Sequence, residues 1–108
     1  MTVQHADLAA SGRWGEFSLA QQLGNVGSEV SRALRWKDRD QKLFDGAIIR
    51  ALELMDFTLQ DSRWKHRLKE LARARELLCD AWLGGAQYAS DLEGLNRYFF
   101  HFALAARK

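Results

Sequence analysis

Apolar residues return along this chain at alternating steps of three and four, the spacing that places side chains on one stripe of a helix. From about Trp14 to Trp36 the stripe is Leu19, Leu23, Val26, Val30 and Ala33/Leu34. A second runs from about Asp40 to Thr58 through Phe44, Ile48, Ala51 and Met55, with Leu59 continuing it. A third spans about Ser62 to Leu83 with Trp64, Leu68, Leu71, Leu78 and Trp82. The fourth follows Ser90 through Leu92, Leu95, Phe99, Phe102 and Ala106. Local chemistry punctuates the pattern: Asp61 or Ser62 is placed to cap the third helix, Gly84 and Gly85 suit a left-handed terminus, and Ser90 with Glu93 fits a capping box.

Links of about three, three and six residues between helices of this length force antiparallel neighbours. The expected fold is therefore all-α, an antiparallel up-down four-helix bundle occupying residues 13–108, behind a flexible arm of residues 1–12 that lacks apolar periodicity. A three-helix unit that exchanges its first helix between protomers fits the same pattern. The chain contains no proline, which turns and strand edges normally use and helix interiors exclude. At 108 residues it is long enough to bury roughly 65% of its unfolded surface, so folding requires no disulfide or metal. No apolar run approaches the roughly 20 residues of a membrane span. No secretory signal pattern opens the chain and Cys79 stands alone, so a cytoplasmic protein is expected.

Several positions depart from a plain bundle. Arg75 interrupts the third stripe between Leu71 and Leu78, and a buried guanidinium requires a carboxylate; Glu16, Asp45 and Asp56 are the candidates. In the first helix Ala20, Gly24, Gly27 and Ser31 form a strip of small residues, although each interior glycine costs roughly 0.5–1 kcal/mol relative to alanine. The strip predicts a close helix approach or a seat for the large rings of the third and fourth helices. A second apolar set lies outside the stripes: Leu43, Ala47, Leu54 and Phe57 on the second helix, and Phe100 with Leu104 on the fourth. Its expected cover is a homo-oligomer or a protein partner; the alternative cover is the segment of Trp14 and Phe17 folding back.

The third helix also carries Lys65, His66, Lys69 and Arg73 on one face, a candidate nucleic-acid surface. Glu70 and Glu76 are interleaved with it, and 16 Lys and Arg against 14 Asp and Glu leave a formal charge of only +2, which favours a solvated face. No Glu-x-x-His pair, zinc-ligand spacing or strand-borne phosphate loop occurs, so no catalytic residue, metal or cofactor is assigned.

The stretches "SLAQQLGNVGSEVSRALRWKDRD", "FDGAIIRALELMDFTLQDSRWKHRLKELARARELLCDAW" and "RYFFHFALAAR" resemble a group of short bacterial and archaeal all-α proteins. That resemblance implies the fold and imports no function. At the level of fold the chain is also similar to HEPN-type helical bundles, several of which are RNases or partners in toxin–antitoxin pairs. Their signature is Arg, four to six residues, then His; here Arg97 and His101 are separated by three residues, and Arg63 and His66 by two, so no catalytic role carries over. The expected function is non-enzymatic assembly, with RNA binding or an RNase-type activity as the alternative.

Overall fold

A computed structural model of the chain describes residues 13–85 and 91–107, and all secondary structure among them is helical. The elements are α1 (Arg13–Glu16), α2 (Leu19–Trp36), α3 (Gln41–Gln60), a 3-10 segment (Ser62–Arg67), α4 (Leu68–Trp82) and α5 (Leu92–Ala106). The expected arm, residues 1–12, lies outside the described residues.

The sequence pattern merges two pairs of elements that the structure separates. The first helix is not continuous from Trp14: the chain breaks between α1 and α2 at Ser18, whose backbone is extended. Ser18 and Gln21 make a reciprocal capping box, Ser18 Oγ accepting from the Gln21 amide at 3.1 Å and Gln21 Oε1 from the Ser18 amide at 2.8 Å. The third helix likewise begins as a 3-10 segment with a kink at Trp64 (φ −105°, ψ 21°) and becomes α-helical only at Leu68. Asp61 caps the 3-10 segment, accepting from both the amide and the guanidinium of Arg63. One result is that Leu68, placed on the stripe by its spacing, is exposed.

The remaining ends follow ordinary capping chemistry. Asp40 caps α3 through the Leu43 amide. Asp91 caps α5 through the Gly94 amide, taking the role the sequence assigned to Ser90, which lies outside the described residues. Beyond α4, Gly84 (φ 101°) and Gly85 (φ 77°) occupy the left-handed region, where a side chain would be strained.

α2 makes the most extensive contacts, one side against α3 and another against α5; α4 packs on α3 and more sparsely on α5. The core joins Leu23, Val26 and Val30 of α2 to Ile48, Ala51 and Met55 of α3, Leu71 and Leu78 of α4, and Phe99 of α5. Along α2 and α5 the small strip has a defined register. A Cβ added to Gly24 would lie 3.2 Å from Ala103 Cα, and one added to Gly27 would lie 2.8 Å from Phe99 Cβ. One turn further, Ser31 Oγ donates to Asn96 Oδ1 at 2.6 Å. As α2 advances from 24 to 27 to 31, its partners on α5 fall from 103 to 99 to 96, so the two helices run antiparallel.

This geometry separates two glycine substitutions that helix propensity alone would treat alike. Gly46→Ala in α3, whose added Cβ would meet only Arg50 Nη1 at 3.4 Å, near ordinary van der Waals contact, is expected to stabilise the protein by up to about 1 kcal/mol. Gly27→Ala drives a methyl into Phe99 and is expected to destabilise by about 1–2 kcal/mol, overpacking outweighing propensity. Thermal denaturation of the two variants beside the parent checks the opposite signs.

Candidate functional site

The densest polar arrangement ties α1, α2 and the 3-10 segment together at one end of the molecule. Gln22 is fully buried there and uses both ends of its amide. Its Nε2 donates to the Trp14 carbonyl at 2.9 Å and to Asp61 Oδ2 at 3.1 Å, and its Oε1 accepts from Trp64 Nε1 at 3.0 Å. Arg63 closes the network by donating to Asp61 at 2.7 Å and to the Phe17 carbonyl at 2.8 Å, its guanidinium lying 4.5 Å over the Trp64 ring. The hydrogen bond from Arg63, aided by Gln22, holds the Asp61 carboxyl at about 2, below the usual 3.8. Among the described residues, Trp14 Nε1 and Thr58 Oγ1 are buried without a hydrogen-bond partner. The knot pairs both ends of the Gln22 amide and ties α1 to α2 and the 3-10 segment.

The arginine in the third stripe is placed differently from the expectation of a buried charge. Arg75 stands at the edge of the core, its side chain 35% exposed, and donates to Asp56, 46% exposed, at 2.7 Å. Leu71, Ala74 and Leu78 turn inward beside it. Of the other candidate partners, Glu16 is exposed in α1, and Asp45 accepts from Gln41 and from Trp82 Nε1. The buried carboxylate whose arginine partners are evident is Glu29, which the apolar pattern did not single out. It accepts from Arg32 at 2.8 Å and from Arg50 of α3 at 3.0 Å. The i, i+3 spacing of Glu29 and Arg32 was visible in the sequence, but the partner from α3 required the fold.

Where α4 and α5 diverge, a groove of about 470 Å³ opens, lined by Ala74, Leu77, Leu95 and Tyr98 and rimmed by Glu70 and Arg73. Tyr98 donates to Glu70 at 2.8 Å, and Arg67 grips the same carboxylate at 2.8 Å. Arg67 and then Tyr98 lower the Glu70 pKa, while burial and then Glu70 raise that of Tyr98. At neutral pH the phenol therefore remains a hydrogen-bond donor. Of the candidate nucleic-acid face, Lys65, His66, Lys69 and Arg73 are all exposed, and Arg73 sits 3.6 Å from Glu76.

The candidate oligomer surface divides in two. Ala47 and Leu54 are buried in the core against expectation, because α3 lies between α2 and α4 and needs a wider apolar arc than one stripe. Phe57 is half-buried, with the Trp14 ring edge-on at 6.4 Å. Leu43, Phe100 and Leu104 do face outward, 42%, 53% and 41% exposed. Phe100 follows Phe99 as Ser28 follows Gly27, so where Phe99 seats on Gly27 the next residues of both helices turn to the same outer face. On α2 that face offers small exposed side chains at Ser28 and Ser31.

Among the described residues no group of three or more His, Cys, Asp or Glu could hold a metal ion, and no helix is long and apolar enough to cross a membrane. Comparison of the chain with family models, curated proteins and solved structures finds no match.

The polar knot and the Arg75 pair predict different sensitivities. Gln22→Leu strands the Trp64 indole and is expected to cost about 2–3 kcal/mol, whereas Arg75→Met, at a solvent-screened pair, is expected to cost less than about 1 kcal/mol; urea titration of both variants measures the difference. Asp61 also predicts an acid dependence. Its folded pKa lies below the unfolded value, so its stabilisation is complete above about pH 4 and is lost as pH falls toward 2. Asp61→Asn should be less stable than the parent at neutral pH, and the gap between their melting temperatures should narrow across that window.

Proposed function

We propose that this protein is a non-enzymatic assembly module: an up-down antiparallel four-helix bundle that associates with a second copy through the outer face shared by α2 and α5. The order of helix contacts, α2 with α3, α3 with α4, α4 with α5 and α5 back to α2, supports the bundle topology. One observation carries the functional reading. Phe100 and Leu104 stand on the outer side of α5, about half exposed, beside a floor of small α2 residues. An exposed aromatic and a leucine one turn apart contribute nothing to the core that Phe99 and Leu95 already fill. Covering them would remove apolar surface from water at about 25 cal/mol per Å², and the shallow α2 floor would let a second helix approach.

A second reading, RNA binding, draws on Lys65, His66 and Lys69, which form no ion pair with a described residue. It is weaker because Glu70 and Glu76 share that helix surface and the net charge is only +2.

Light scattering is expected to give twice the 12.4 kDa chain mass in the high-micromolar range, with an absorbance ratio free of nucleic acid. Phe100→Glu should return the protein to monomer mass with its melting temperature within a few degrees of the parent. A monomeric parent would overturn the assembly reading, and a parent that co-purifies with RNA would favour the second.

A further inference from the structure

Resting on that reading, we infer that two copies pair through α5 in antiparallel orientation, with Phe100 on the two-fold axis and Glu93 of each copy opposite Arg107 of the other. The inference begins with a second periodic stripe on α5. Glu93, Arg97, Phe100, Leu104 and Arg107 follow one another at steps of four, three, four and three, and all five are exposed. This is the spacing of a helix–helix seam, on the side of α5 away from Leu95 and Phe99. Glu93 and Arg107 each lie seven residues from Phe100, about 10 Å along the axis in opposite directions. Neither they nor Arg97 form an ion pair with a described residue.

Charge then selects among the possible pairings. A parallel pair would oppose each of Glu93, Arg97 and Arg107 to its own copy, like against like. An antiparallel pair centred on Phe100 brings two Glu93–Arg107 contacts together by symmetry. It also sets Glu93, in the first turn of one helix, against Arg107, the C-cap of the other, with the two helix dipoles opposed. Sliding the helices by one turn to stack Phe100 on the partner's Leu104 would set Arg97 opposite the partner's Arg107. Sliding the other way would lay Glu93 against the partner's Leu104 and Arg97 against the partner's Phe100. The Glu93–Arg107 contacts form twice in the Phe100-centred register, which also brings Arg97 beside the partner's Leu104, and in neither neighbouring register, and they select it. The small residues of α2 beside Phe100 supply the clearance such a pair needs.

The test uses four proteins: the parent, Glu93→Arg, Arg107→Glu, and the double variant, with folding checked by circular dichroism. Each single variant opposes like charges twice and is expected to weaken dimerisation at least tenfold by analytical ultracentrifugation. The double variant should recover to within about threefold of the parent. An equimolar mixture of the two single variants should form a heterodimer tighter than either homodimer. Single variants that dimerise as tightly as the parent would overturn this pairing while leaving self-association standing. A monomeric parent would overturn the assembly reading itself, and a double variant as weak as the singles would overturn the Glu93–Arg107 contact.

Discussion

The close approach of α2 to α5 is the constraint on which the arrangement of the chain depends. Gly27 leaves no room for a methyl group against Phe99, and Gly24 leaves little against Ala103. Two interior glycines weaken α2 as an isolated helix, by roughly 1 kcal/mol each. What offsets that cost is the complete burial of Phe99, the largest side chain wholly removed from solvent among the described residues, in a place that larger α2 residues would close. The same contact fixes rotation and register. Once Phe99 seats on Gly27, Ser31 meets Asn96 one turn away, Leu92 and Leu95 turn to the core, and Phe100 must turn outward.

At one end of the molecule, hydrogen bonding does what packing does along the α2–α5 seam. Gln22 occupies a fully buried position where an apolar residue would pack, and it ties three chain segments through the Trp14 carbonyl, Asp61 and Trp64. A buried amide is tolerated only when its groups are paired, so this end has one arrangement in which the kinked 3-10 segment, α1 and α2 all fit. The non-helical Trp64 follows from that requirement: its indole must point back to Gln22 as Arg63 reaches the Phe17 carbonyl.

Helix stripes were legible because burial along a helix repeats at a fixed angle, and Leu23, Val30, Ile48, Met55, Leu71, Leu78 and Phe99 lie in the core where their spacing puts them. The breaks at Ser18 and Trp64 were harder to read, because an apolar period continues across a short kink. The Ser18–Gln21 capping signature was nevertheless present in the sequence. Arg75 pairs with Asp56, one of its candidate partners, but its depth was misread for a different reason. A long side chain on the border of a stripe can root beside the core and carry its charge to the rim, and periodicity records only the root. Ala47 and Leu54 misled in the opposite direction: they fall outside a single stripe, but a helix with neighbours on two sides buries a wider arc. Glu29 escaped notice since its partner Arg50 is 21 residues away on another helix.

α5 separates the two demands placed on a surface helix. Its inward stripe of Leu92, Leu95 and Phe99 is used up in the fold. Its outward stripe has the same periodicity but a different composition, apolar only at Phe100 and Leu104 and charged at Glu93, Arg97 and Arg107. A stripe selected for solubility alone has no need of an aromatic at its centre, and one selected for the core would not place charges at its ends. Apolar residues in the middle with opposite charges at the two ends match the anatomy of a small self-complementary interface, in which burial supplies affinity and charge supplies orientation. Phe99 seated on Gly27 turns the next residue, Phe100, outward, so the packing that closes the core also presents the outer apolar surface on which the proposed assembly rests.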